Sequence, residues 1–178
     1  MKTDFKYFKY KIYCDMDGVL VNFDDAFKKI ILNESNSDNL GNTFFAKYAL
    51  KHGWKDTWNI IEEHGVDFWL NLEWMTDGKR LWNYLTNNFK EVEILTGSPL
   101  YKVGEYAKEG KNEWCKKNLG SNVKVNHKEG KLKQEFAKSK FDILIDDAPR
   151  NYENWIEHGG TGILHKNTDE TIKELDKL

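Results

Sequence analysis

The chain has 178 residues, 39% hydrophobic and 14% aromatic, enough for one packed core with a modest insertion. A net charge of −2 gives no electrostatic case for a nucleic-acid polymer or a membrane surface as partner. Two cysteines, Cys14 and Cys115, are too few for a disulfide framework and point to a reducing, cytoplasmic setting.

In chain order, Met1 to Lys11 lacks the continuous apolar segment of a signal peptide. Residues 10–15 read as a short buried strand, and no run reaches the length of a membrane span. Residues 22–32 carry apolar positions 23, 26, 27, 30 and 31, a helical stripe. The Asn-, Ser-, Asp- and Gly-rich stretch 33–42 reads as a loop. Helices are predicted at 43–51 and 55–64, on either side of His52-Gly53, and at 77–88. Strands follow at about 91–95, 122–126, 142–146 and 161–165, with helices at about 104–118, 131–138, 149–157 and 168–177. This alternation predicts an α/β fold, a parallel sheet with helices on both faces. Ligands bind such sheets at the carboxyl ends of the strands. The seven tryptophans fit core packing better than a base-stacking platform.

The first strand runs into Asp15-Met16-Asp17-Gly18. Two carboxylates two residues apart at a strand end can act as nucleophile and acid/base. Like charges so close call for a neutralising cation, so the motif implies a metal. Asp-x-Asp alone is equally an ordinary strand end. Further along, Thr96-Gly97-Ser98-Pro99 follows one strand and Asp146-Asp147 another, with a lysine-rich segment, Lys128 to Lys140, between them. Read singly, the first is a strand-ending turn and the second a helix cap near Pro149. The five histidines show no metal-ligand spacing.

In this order, the motifs resemble those of the haloacid dehalogenase-like (HAD) superfamily of phosphohydrolases. Ile143 to Asp147, Asn151, Trp155, Gly159-Gly160 and Gly162 to His165 look like its 5'(3')-deoxyribonucleotidase branch and related small phage and bacterial proteins. The resemblance implies a Rossmann-like sheet in order 3-2-1-4-5, with Asp15 on the central strand. It also implies a small helical cap after the first strand: core 1–23 and 91–178, cap 24–90. The implied activity is Mg²⁺-dependent phosphomonoester hydrolysis through an aspartyl-phosphate on Asp15, with Asp17 as acid/base. Asp15, the Asp17 carbonyl and Asp147 would hold Mg²⁺, with Asp146 direct or through water. Thr96 would donate to phosphate, with the N–H groups of Gly97 and Ser98 near the same anion. Lys133, or alternatively Lys131, would neutralise it. Phe23 either stacks on a base or packs the cap. The substrate would be a small phosphoester such as a deoxynucleoside monophosphate or a sugar phosphate. A HAD-fold binding module without turnover is the reading from another class. Lys111 and Trp114, on the helix after the Thr96 loop, receive no chemistry from the sequence.

Overall fold

The computed structural model describes residues 5–32, 44–128 and 132–178. The stretch 33–42 expected as a loop, and Lys131, lie outside them. β1 (Lys11–Cys14) is short and buried over its last three residues, as a strand covered on both faces must be. It pairs in parallel with β2 (Glu91–Gly97) on one side and β4 (Asp142–Asp146) on the other. β3 (Val125–Lys128) and β5 (Thr161–Leu164) flank these, so the five-stranded parallel sheet has the order β3-β2-β1-β4-β5 expected from the sequence. Cys14 aligns with both Ile94 and Ile145, so the chain segments carrying Asp15, Thr96 and Asp146 leave the sheet at one edge.

Between β1 and β2 lie α1 (Phe23–Leu32), α2 (Phe44–His52), α3 (Trp54–Glu63), α4 (Gly65–Leu70) and α5 (Gly78–Asn88). The Asn22 side chain accepts from the Asp25 amide at 3.1 Å and so starts α1. Asp24 accepts from the Phe44 and Phe45 amides, the first two of α2, at 2.5 and 2.8 Å, tying the two helices together. Where this insertion leaves and re-enters the core, the chain pairs with itself. The Asn22 amide donates to the Glu73 carbonyl at 2.9 Å and the Met75 amide to the Leu20 carbonyl at 2.8 Å. α5 buries Leu81, Trp82 and Leu85 and packs on β2 and on α8 (Thr168–Leu175).

α6 (Tyr101–Asn118) follows β2 and lies under the cap, where it packs on α4. Gly110 makes this approach possible. A Cβ there would sit 2.5 Å from the Trp69 Cβ and 2.8 Å from the Val66 carbonyl, closer than atoms pack. The last helix before β5 is α7 (Pro149–Glu157), with proline in its first turn, where no N–H is needed.

Two predicted elements differ from those observed, and one observed element is not predicted. The helix expected at 131–138 is a 3₁₀ turn, Lys133–Phe136, ended by an extended Ala137, and it presents Lys133 inward. The third strand starts at Val125, because a turn at residues 121–122 precedes it. The short helix α4, Gly65–Leu70, is the one not predicted. Cys14 and Cys115 are free and buried. Burial pushes the Cys14 thiol well above its ordinary range and the Cys115 thiol up to about 12, so both are inert packing groups. Among the described residues no helix is long and apolar enough to cross a membrane.

Candidate active site

The loop after β1 turns at once. Met16 accepts from the amides of Val19, Leu20 and Val21. Gly18 takes φ 75°, a left-handed conformation that suits glycine. The turn holds Asp15 and Asp17 at the end of the central strand. Asp15 Oδ1 accepts from the Met16 amide at 2.7 Å and is 2.8 Å from Lys133 Nζ. Both contacts fall on one oxygen, and Oδ2 accepts from no described residue.

Lys133 Nζ also reaches Asp146 Oδ2 at 2.7 Å, and all three side chains are buried. Asp146 is further bound by the Ala148 amide at 2.9 Å and by Asn151 Nδ2 at 3.1 Å to each oxygen. The carboxylate therefore braces the turn into α7 as well as the lysine. Burial opposes a charge on Lys133, but Asp15 and Asp146 outweigh it and hold the ammonium above its ordinary range. Burial pushes the Asp15 carboxyl well up; Lys133 opposes this, while Asp146, Asp17 and Asp147 add to it.

On the other side of Asp15, Lys111 Nζ donates to Asp17 Oδ2 at 2.6 Å, to Thr96 Oγ1 at 2.9 Å and to the Gly97 carbonyl at 2.8 Å. The Trp69 ring lies over the ammonium, 5.0 Å to its centroid. Asp17 Oδ1 is buried with no hydrogen-bond partner among the described residues.

The sequence missed Lys111. It stands mid-helix among other lysines, and only the preceding Gly110, odd in a helix interior, marks a close approach there. Ser98, expected near the anion, has partners within the protein. Its amide donates to the Lys128 carbonyl at 2.9 Å, extending the β2–β3 pairing, and is not free for an anion. Its hydroxyl pairs with His127 Nδ1 at 3.0 Å, and His127 Nε2 with Asn112 Oδ1 at 2.9 Å.

Asp15, Asp146 and Asp147 each offer a carboxylate oxygen, and these oxygens lie within 4.8 Å of one another. Four carboxylates, Asp15, Asp17, Asp146 and Asp147, face two ammonium groups, Lys111 and Lys133, an excess of two negative charges. Hard oxygen donors with that excess fit a divalent cation such as Mg²⁺. Asp146 has both oxygens engaged by protein donors.

Beside Asp17 a cavity of about 330 Å³ opens under the cap, lined by Phe23, Phe45, Trp58, Trp69, Asp17 and Lys111 among others. Phe23 is itself buried, 5.1 Å from Phe45, 5.6 Å from Phe68 and 5.6 Å from Trp69 between ring centroids. It packs the cap and also faces this cavity.

No protein-family model matches the chain, and no curated protein does. Solved structures do. A hydrolase from Streptococcus pneumoniae superposes with TM-score 0.52 at 15% identity, covering 94% of this chain and 99% of that one. A HAD-superfamily hydrolase from Ehrlichia chaffeensis gives TM-score 0.48 at 17% identity, over 98% and 99% of the two chains. A HAD family enzyme from Bacteroides thetaiotaomicron, in complex with magnesium and inorganic phosphate, gives 0.46 at 19%, over 88% and 94%. The five-stranded parallel sheet in the order 3-2-1-4-5, with its helices, is a Rossmann-like α/β arrangement.

Proposed function

We propose that the protein is a Mg²⁺-dependent phosphomonoesterase that works through an aspartyl-phosphate on Asp15. The observation that carries this reading is the pairing of Asp15 and Asp17 with two different buried lysines. Lys133 anchors one oxygen of Asp15, and Lys111 anchors one oxygen of Asp17. Each carboxylate thus keeps a second oxygen for chemistry.

Asp15 attacks phosphorus as the ester P–O bond breaks, and the electron pair leaves on the alkoxide oxygen. Asp17 gives that oxygen a proton through its carboxyl. In the second half, Asp17 takes a proton from water, and the resulting hydroxide attacks phosphorus. The acyl P–O bond breaks, releasing inorganic phosphate and regenerating the Asp15 carboxylate. Lys133 and Thr96 stabilise the charge that builds on the phosphoryl oxygens. Asp15, Asp147 and the Asp17 carbonyl would hold Mg²⁺, which would supply charge neutralisation for the phosphate and the nucleophile.

The aromatic cavity beside Asp17 favours an ester whose alcohol carries a flat ring, and a deoxynucleoside 5'-monophosphate is the substrate we expect. The cavity is of a size for a base and sugar, and its aromatic walls can hold a ring. Phosphate release from purified protein with Mg²⁺, across nucleoside monophosphates and sugar phosphates, tests both levels. Turnover of nucleotides above sugar phosphates is expected. Equal turnover of the two classes rejects the nucleotide, and no turnover of any phosphomonoester rejects the reaction.

A further inference from the structure

We propose that Lys111 is a positioning residue, which sets the Asp17 carboxylate and the Thr96 hydroxyl in one act and so couples the acid/base to the phosphate-binding loop. The proposal rests on the phosphatase reading above.

A wholly buried ammonium is unfavourable unless its hydrogen-bonding capacity is met. An ammonium has three donors, and Lys111 uses one each on Asp17, Thr96 and Gly97. The acceptors come from two separate strand-end motifs, and the lysine from a third element, α6. A lysine serving the core alone would gain little there, since apolar side chains of similar volume stabilise an interior as well as a buried ion pair. The contacts converge instead on groups that would handle substrate.

Two consequences follow for chemistry. Thr96 accepts from an ammonium, so its own O–H proton must point elsewhere, and the hydroxyl is left as a donor for a phosphoryl oxygen. Asp17 is held by Oδ2, so the unpartnered Oδ1 is the oxygen that faces the proton transfer. The cap enters the same arrangement. Gly110 lets α4 settle on α6, and this brings the Trp69 ring over the ammonium of the next residue. Lys111 therefore joins the acid/base, the phosphate loop and the cap wall of the cavity.

The test uses the full chain with Mg²⁺ and compares wild type with Lys111→Met and, should that variant fold poorly, Lys111→Gln. An aryl phosphate with a good leaving group and an alkyl phosphate with a poor one report on Asp17. A misplaced acid should lower kcat about 100-fold for the alkyl ester and much less for the aryl ester. Inorganic phosphate binding, measured by calorimetry, reports on Thr96 and should weaken about tenfold. A lysine that only stabilises the fold would lower the melting temperature while leaving the alkyl-to-aryl ratio and phosphate affinity unchanged, and that result overturns the proposal. If wild type turns over neither ester, the phosphatase reading falls. The phosphate arm then still decides Lys111: weakened binding in the variant keeps its anion-positioning role, and unchanged binding removes it.

Discussion

The two buried lysines of the site sit in different surroundings. Lys133 lies against Asp15 and Asp146, both shut away from water, and reaches them from a four-residue 3₁₀ turn. Lys111 comes from a long helix and pairs with Asp17, whose side chain keeps 23% of its surface exposed. One lysine is part of a closed charge cluster. The other stands where that cluster opens into a cavity. Removing a partner from a closed cluster leaves an uncompensated buried charge, whereas at the open end water can enter and share the load. Fold and activity should therefore fail together on the Lys133 side and separate on the Lys111 side.

The largest effect belongs to the closed half. Asp15→Asn keeps the shape and removes the attacking charge, so turnover should fall by about 10⁴-fold or more. A variant within about tenfold of wild type would remove Asp15 as nucleophile. Lys133→Met should be inactive and also less stable by about 3–5 kcal/mol, because Asp15 and Asp146 are left facing each other. Denaturant midpoints of Lys133→Met and Lys111→Met sharpen the comparison. Equal losses from the two would mean that the two ends of the site do not differ in the way described.

Metal removal acts on the same half. EDTA should abolish turnover and Mg²⁺ restore it. Binding to the folded state alone stabilises it, so Mg²⁺ should also raise the melting temperature of wild type, with no turnover needed to see it. Asp147→Ala should lose that rise. A rise of the same size in the variant would take Asp147 out of the ligand set.

The open half is probed by Phe23→Ala. Truncating this buried ring, which packs with four other aromatics, should cost about 3–5 kcal/mol. If it also contacts a base, KM for a nucleotide should rise by the equivalent of about 1–3 kcal/mol, while a sugar phosphate is unaffected. The ratio of kcat/KM for the two substrates, read where both proteins are folded, decides. An unchanged ratio confines Phe23 to packing.

Gly110→Ala should act more weakly, through the contact between cap and core. The added methyl meets Trp69 and the Val66 carbonyl, so α4 must lift from α6 at a cost of about 1–3 kcal/mol. Nucleotide turnover should drop through KM more than through kcat, since Asp15 and Lys133 are untouched. A fall in kcat alone would mean that the glycine does not set the cavity wall.

What could be read from the chain follows the same division. Asp15, Asp17, Thr96 and Asp146 sit at strand ends, and strands announce themselves as apolar runs bounded by turn residues. Their order along the sequence therefore placed them at one edge of the sheet. Lys133 was reached only through the family resemblance, with Lys131 as the alternative. Lys111 was not, because a lysine in a helix with several lysines reads as solvent-facing. Only the descent of α4 onto Gly110, a contact across 40 residues of sequence between Trp69 and Gly110, turns it inward. The surface on which α5 packs was not legible for a related reason. α5 has the same amphipathic pattern whether it covers a cap or a sheet, and only its packing on β2 and α8 decides.

The smallest effect is expected from His127, at the outer margin of the open half. Its ring pairs with Ser98 Oγ and Asn112 Oδ1. Burial first, then the ammonium groups of Lys111 and Lys108, lower it from 6.5 to about 4. The folded protein thus keeps this imidazole neutral at a pH where the unfolded chain already binds a proton. Stability from the neutral ring is fully present above about 6.5 and is lost progressively as pH falls toward about 4. His127→Gln cannot titrate, so the stability gap between wild type and variant should narrow over that window and stay flat above it. Denaturant midpoints measured from pH 7.5 down to about 4.5 make the comparison. A gap that is constant across the window would mean that His127 is as easily protonated in the folded protein as in the unfolded chain. The margin of the Lys111 half would then be wetter than its buried lysine implies.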